Sequence, residues 1–172
     1  MFHVERNTLS LNYKGIIGIL FLFFVLNSCG GVRQSTQISD YILMPDGKDV
    51  IENKSLTAFI FENNLKKIPI EQYLSLKFNS NNYLENEFWI TIDKSKYKII
   101  IYDKAEFDKY FSYANFAVIN QEPENAKSND QRKFIAISMI NASNEDCLND
   151  NSLFQNIAVS YLKKLKDEFY NQ

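Results

Sequence analysis

Histidine is almost absent from this 172-residue chain, because His3 is the only one. Ser-His-Asp and Cys-His catalytic centres and histidine-containing zinc sites are therefore excluded from the rest of the chain. Cysteine is nearly as scarce, since Cys29 and Cys147 are too few for a four-cysteine zinc or iron–sulfur site. None of the five glycines belongs to a glycine-rich phosphate-binding loop.

Positive charge is also limited. The chain has 19 Lys and Arg residues against 21 Asp and Glu residues, a net charge of −2. Nucleic-acid binding relies on a broad positive field, so we expect no nucleic-acid partner. What the chain does contain is 45% hydrophobic and 15% aromatic residues, enough for a packed core. Its length corresponds to one domain.

An apolar run lies close to the N-terminus. Residues 16–26 read Ile-Ile-Gly-Ile-Leu-Phe-Leu-Phe-Phe-Val-Leu and follow the cations Arg6 and Lys14. A membrane-spanning helix needs about 20 apolar residues, so this run is too short to cross a bilayer. Its length and its basic flank are typical of a signal peptide.

The sequence Leu26-Asn27-Ser28-Cys29 directly after this run resembles the lipobox of bacterial lipoproteins. The resemblance implies that signal peptidase II cuts between Ser28 and Cys29, and that the Cys29 thiol carries a diacylglyceryl anchor. Further acylation, for example with palmitate, would make the membrane attachment stable. An ordinary secretory leader and an uncleaved anchor are the alternatives.

The residues after Cys29 bear on the location of the protein. Gly30 is not the aspartate that retains many lipoproteins in the inner membrane, and residues 30–37 lack an acidic cluster for surface export. We therefore expect an anchor in the outer membrane, facing the periplasm. The resulting organisation is a signal peptide (1–28), a flexible tether (29–38) and a single domain (39–172).

The first part of the domain is predicted to contain a turn, a strand and a helix. The apolar residues 41–44 end at Pro45-Asp46-Gly47, a turn signal. Residues 55–61 are rich in strand-forming residues and predict a buried strand. Residues 69–79 start with a proline and carry apolar residues at helical spacing, so they predict a helix.

A β-hairpin is predicted next, with strands 87–93 and 96–102 around a loop of Lys94 and Ser95. In this register one face is apolar and consists of Phe88, Ile90, Ile92, Tyr97, Ile99 and Ile101. The other face carries Trp89, Thr91, Asp93, Lys96, Lys98 and Ile100. A slip of one residue would exchange the two faces, so their separation supports the prediction. The loop lacks the glycine that such turns favour.

Two capping boxes predict two further helices. Asp103 and Glu106 open a short helix over 104–112, and Ser152 and Gln155 open a long C-terminal helix. The apolar stripe predicted to be buried on that last helix consists of Phe154, Ile157, Ala158, Tyr161, Leu162, Leu165 and Phe169.

The remaining segments are strands at 115–120 and 134–140 and polar loops at 121–133 and 141–151. The order of elements is βαββαββα, and its first six elements match the split βαββαβ pattern of ferredoxin-like domains. We therefore predict an α+β fold with one antiparallel sheet and helices packed on one face.

The acidic loop around Cys147 offers little chemistry. The negative charges of Glu145 and Asp146 raise the pKa of a neighbouring thiol and make it a poor nucleophile. Residues 144–150 lack the alternating oxygen ligands and the central glycine of an EF-hand calcium loop. We expect no metal and no cofactor here, and we interpret this segment as a solvated loop.

The outer face of the hairpin is the best candidate for a binding surface. Trp89, Lys96 and Lys98 lie on it, where an aromatic ring and two cations would contact a sugar or a protein partner. The alternative is that another strand or helix covers the tryptophan.

These features favour a non-catalytic periplasmic module, held at the membrane by a lipid anchor, that binds a protein or a cell-envelope component. One specific version is an immunity-type lipoprotein that intercepts an incoming toxin, by analogy of size and location. The alternative is an envelope hydrolase that uses carboxylates such as Glu122 and Glu124, or a serine with a lysine.

Overall fold

The computed structural model describes residues 36–49, 54–63, 67–117 and 132–172. The strands are β1 (Thr36–Gln37), β2 (Ile42–Met44), β3 (Ala58–Glu62), β4 (Glu87–Ile92), β5 (Ser95–Ile101), β6 (Phe116–Ala117) and β7 (Phe134–Asn141). The helices are α1 (Ile70–Lys77), α2 (Lys104–Tyr110) and α3 (Gln155–Tyr170). This combination confirms the predicted α+β class.

The main sheet has five antiparallel strands in the order β2-β3-β7-β5-β4, and β1 and β6 form a separate parallel pair. This order differs from the predicted ferredoxin-like start, because β7 lies between β3 and β5. All eight residues of β7 are buried, and apolar side chains along it point to both faces. A strand with this composition is stable only where both faces are covered, at the centre of the sheet.

Helices α1 and α3 cover one face of the sheet, which we call the first face. The apolar stripe of α3 meets alternate residues of every long strand in one continuous core. Its buried helical residues include Ile70, Leu74, Ala158, Leu162, Leu165 and Phe169. Burying such a side chain stabilises the fold by roughly 1.5–3 kcal/mol relative to leaving it in water. The hairpin contributes the six residues predicted for its apolar face.

Helix α2 packs on the opposite, second face, so the prediction that helices occupy one face is wrong. Phe107 and Phe111 contact the side chains of Ile60 and Ala136, which point away from α1 and α3. The alternation of side chains along β3 and β7 leaves apolar groups on both sides of the sheet, and the second side also needs a cover. The predicted Asp103–Glu106 capping box at the start of α2 is confirmed.

The start of α3 differs from the prediction. Ser152 does not form a capping box with Gln155; its hydroxyl accepts a hydrogen bond from the Phe154 amide at 3.2 Å. The Gln155 side chain donates instead to the Leu148 carbonyl at 3.1 Å. The long helix itself is confirmed, but Ile157 of the predicted buried stripe is exposed.

The folded unit begins inside the segment interpreted as a tether. Strand β1 pairs with β6 from Thr36 onward, and Ile38 is buried under α2. Asp40 then forms ion pairs with Lys166 and, at 2.9 Å, with Lys163 of α3. Residues 36–40, which we call the N-terminal segment, thus contact elements on both faces of the sheet.

Candidate functional site

The hairpin of β4 and β5 turns on Asp93 and Lys94, which both have positive φ angles, 49° and 70°. Positive φ at both central residues is the signature of a type I′ turn, whose twist matches that of the strands. Ile92 therefore faces Ser95, and the register is shifted by two residues from the one predicted. A shift of two leaves every side chain on its predicted face, because side chains alternate with a period of two.

The three residues proposed for partner contact lie on one face of this hairpin. Trp89 is directly opposite Lys98, and Lys96 is opposite Thr91. The Lys98 ammonium lies 5.0 Å from the centre of the Trp89 ring and 3.0 Å from the Glu87 carboxylate. We call Glu87, Trp89, Thr91, Lys96 and Lys98 the hairpin surface.

Trp89 is 56% exposed, and none of the described helices or strands covers it. The cation of Lys98 is attracted to the negative face of the indole and holds the two side chains together. The exposed tryptophan places a large apolar ring system in water, next to charges of both signs. Stacking and ion pairing are the interactions that these side chains can make.

The hairpin surface has a defined inner border. Ile100 lies on the same face as Trp89 but is buried under Leu56, together with Ile140. On the side of this cluster away from Trp89, the residues of the second face are buried. The exposed part of that face consists of β4 and the first half of β5.

Cys147 is buried in the first-face core, against α3 and β7. Burial is the main cause that raises the pKa of its thiol to about 12, with smaller contributions from Asp146 and Glu145. The prediction of a poorly nucleophilic thiol rested on the two carboxylates, whereas burial is the larger cause.

The carboxylates of the acidic loop after β7 form hydrogen bonds within the fold. The Asp146 carboxylate accepts hydrogen bonds from the Thr57 amide at 2.7 Å and from the Leu148 amide at 2.9 Å. Glu145 accepts from the side-chain amide of Asn141 at 2.6 Å. In the part of the chain that is described, no group of three His, Cys, Asp or Glu residues could hold a metal ion.

The hydroxyls of two buried serines donate hydrogen bonds to main-chain carbonyls. The Ser138 hydroxyl donates to the Thr57 carbonyl at 2.8 Å, and Ser75 donates to the Asn82 carbonyl at 2.8 Å. Both serines are fully buried. Neither is placed to attack a substrate.

Several predicted features lie outside the described residues: Ser28 and Cys29 of the lipobox, and Glu122 and Glu124 together with most of loop 121–133. Within the described ranges, none of the helices is long and apolar enough to cross a membrane.

Glu87 was missed as a member of the hairpin surface. In the predicted register it faces Tyr102, two residues from its true partner Ile100, and so lies too far from Lys98. The alternation of the strand places Glu87 beside Trp89 on the exposed face, and that signal was present in the sequence.

The chain matches no protein-family model, and neither the curated proteins nor the solved structures contain a match to it.

Proposed function

We propose that this protein is a lipid-anchored module of the bacterial cell envelope that binds a protein or envelope partner through the hairpin surface. The observation that carries the binding part is the exposed Trp89 ring, flanked by Lys98 and Glu87. Exposed aromatic residues are enriched at protein interfaces, where they supply contact area at a small entropic cost.

The anchor part rests on the sequence. The apolar run 16–26 and the lipobox-like Leu26-Asn27-Ser28-Cys29 support lipid attachment at Cys29, with the folded domain on the periplasmic side of the outer membrane. An immunity-type role, in which the module captures an incoming toxin at the membrane, is the specific version that we favour.

The anchor is tested by growing cells that express the full chain with a fatty-acid analogue and detecting the label on the protein. We expect labelling of the wild-type chain, and no labelling and no signal-peptide cleavage for Cys29→Ala. The matched control is Cys147→Ala, which removes the other thiol and keeps the label. Unchanged labelling of Cys29→Ala would contradict the anchor.

The binding surface is tested by capturing partners from detergent-solubilised envelope with the tagged full chain. We expect the wild type to retain a specific partner, and Trp89→Ala and Lys96→Glu to lose it. Lys164→Glu is the control, because it makes the same charge reversal on α3, where its side chain is 77% exposed. Equal loss with the control, or full retention by Trp89→Ala, would remove the hairpin surface from the proposal.

A further inference from the structure

The two edges of the five-stranded sheet are built differently. Edge strand β2 has three residues and is followed directly by Pro45, which cannot donate a backbone hydrogen bond. Edge strand β4 has six residues, contains no proline or lysine, and pairs with β5 residue for residue without a bulge. Natural sheets protect their edges with short strands, prolines, lysines or bulges. The β2 edge has such protection, whereas β4 is longer and regular, lacks proline and lysine, and carries a single charged residue, Glu87.

The backbone groups on the free side of β4 follow from the register. The Ile101 amide donates to the Asn86 carbonyl at 2.8 Å, so Asn86 directs its backbone groups towards β5. Backbone direction alternates along an antiparallel strand. Glu87, Trp89 and Thr91 therefore direct their N–H and C=O groups away from the sheet, where no described strand pairs with them.

Exposed apolar side chains are concentrated in the segment that leads into β4. Seven large hydrophobic residues are exposed in the described part of the chain. Four of them lie between the last turn of α1 and the middle of β4: Leu76, Tyr83, Leu84 and Trp89. Leu84 is 85% exposed. Large apolar side chains in water favour contact with another surface.

We propose that β4 pairs in antiparallel fashion with β4 of a second copy of this chain, about a two-fold axis at Trp89. The three outward residues then hydrogen-bond to one another: Trp89 faces Trp89 of the second copy, and Glu87 faces Thr91. On the first face, Phe88 faces Ile90 of the second copy, which continues the apolar row. The product is one ten-stranded sheet with an interface that is the same on both copies.

The sequence of β4 selects this register. Only outward residues can pair through hydrogen bonds, so alternative registers are shifted by two. A shift towards the turn would set Glu87 against Asp93 of the other copy, two like charges. A shift in the opposite direction would pair only three residues of β4. Self-complementarity over five of the six residues of β4 is the reason to choose a second copy as the occupant.

The pairing does not rest on the proposed function. Its hydrogen bonds use backbone groups in the plane of the sheet, and it also places the Trp89 side chains of the two copies next to each other on the second face. The hairpin surfaces of the two copies would lie side by side on the same face of the joined sheet.

Disulfide cross-linking of the full chain in membranes from expressing cells tests the interface, with copper phenanthroline as oxidant. In the proposed pairing the two Cα atoms at position 89 are about 5.5 Å apart, within the range for a disulfide. We expect Trp89→Cys to give a covalent dimer on a non-reducing gel. Lys98→Cys is the control on the same face, because two cysteines there would be about 14 Å apart, three strand spacings. No dimer with Trp89→Cys, or equal dimer with both variants, would overturn the proposal.

A second measurement does not depend on cysteine. Thr91→Pro removes an N–H that points away from the sheet and leaves the hydrogen bonds to β5 intact, and Thr91→Ala is its matched control. In sedimentation equilibrium of the full chain in detergent, we expect dimers for the wild type and Thr91→Ala, and monomers for Thr91→Pro. A monomeric wild type would overturn the pairing. If Thr91→Pro does not fold, as judged by circular dichroism, the cross-linking result decides.

Discussion

The two faces of the main sheet are stabilised in different ways. The first face is covered from edge to edge by α1 and α3, and its core is continuous and apolar. The second face is closed over β2, β3, β7 and the end of β5, by α2, the N-terminal segment and Leu56. Over β4 and the start of β5 it is open. The sheet thus gains stability from all of its first face and from part of its second face, and the rest of the second face stays exposed.

The closed half of the second face also differs in chemistry, because it contains a buried polar network. The Tyr102 hydroxyl accepts a hydrogen bond from the Lys48 amide at 2.9 Å and shares another with Ser138 at 2.9 Å. The pKa of Tyr102 is raised, chiefly by burial. Stability on the first face comes from apolar area, whereas here it also depends on individual hydrogen bonds.

The largest expected effect is on the first face. Ile99 is fully buried on β5, so Ile99→Ala removes methyl groups from a core that cannot close the gap. We expect the free energy of unfolding to fall by about 2–5 kcal/mol. Urea denaturation, with an unchanged m-value, measures this loss. A loss no greater than that of a surface substitution on the same hairpin would contradict the assignment of faces.

A smaller effect is expected in the closed half of the second face, at Gly47. A Cβ atom there would meet the Leu56 carbonyl oxygen at 2.7 Å and the Phe111 ring at 3.1 Å, and would also contact the Tyr102 hydroxyl. Gly47 does not have a positive φ, so the effect of Gly47→Ala is steric. We expect a loss of about 1–3 kcal/mol. A thermal unfolding midpoint equal to that of the wild type would mean that α2 does not pack here as described.

The polar network of the same half is tested by Tyr102→Phe. The change leaves the Lys48 amide without its acceptor and removes one of the two hydrogen bonds of the Ser138 hydroxyl, which still donates to the Thr57 carbonyl. We expect a cost of about 1–2 kcal/mol. Tyr110→Phe is the matched control, because its hydroxyl accepts a hydrogen bond from the exposed Lys109. Equal urea midpoints for the two variants would show that the buried hydrogen bonds add nothing to stability.

The smallest effect is expected in the open half. Thr91→Ala changes an exposed residue of β4, and we expect the free energy of unfolding to change by less than about 1 kcal/mol. The same urea titration as for Ile99→Ala measures it on the same scale. A cost above that of Tyr102→Phe would mean that something covers the hairpin surface.

The faces of the hairpin could be predicted from sequence, but its register could not. Alternation of apolar and polar residues assigns Ile90 and Ile99 to one face and Trp89 and Lys98 to the other. Turn chemistry gave only a weak signal, because Asp93 suits the first central position of a type I′ turn but neither Asp93-Lys94 nor Lys94-Ser95 contains the glycine that such turns favour. Lys98 lies against the Trp89 ring because the observed register places the two residues opposite each other.

The two predicted capping boxes also show that a local sequence pattern does not always predict the structure that forms. Asp103 and Glu106 satisfy each other's backbone groups locally, and their box forms. Ser152 and Gln155 have the same spacing, but Gln155 is drawn to the Leu148 carbonyl and to Asp150 in the preceding loop. A competing tertiary partner is invisible to a local pattern.

The α+β class, the position of the helices and longer strands, and the buried side of the hairpin could all be predicted from the sequence. These depend on periodicity and composition, which are local. The central place of β7, the packing of α2 on the second face and the exposure of Trp89 at the sheet edge became visible only in the folded structure. Strand order and coverage depend on which apolar surfaces meet across long stretches of chain, and no spacing along the sequence records those meetings.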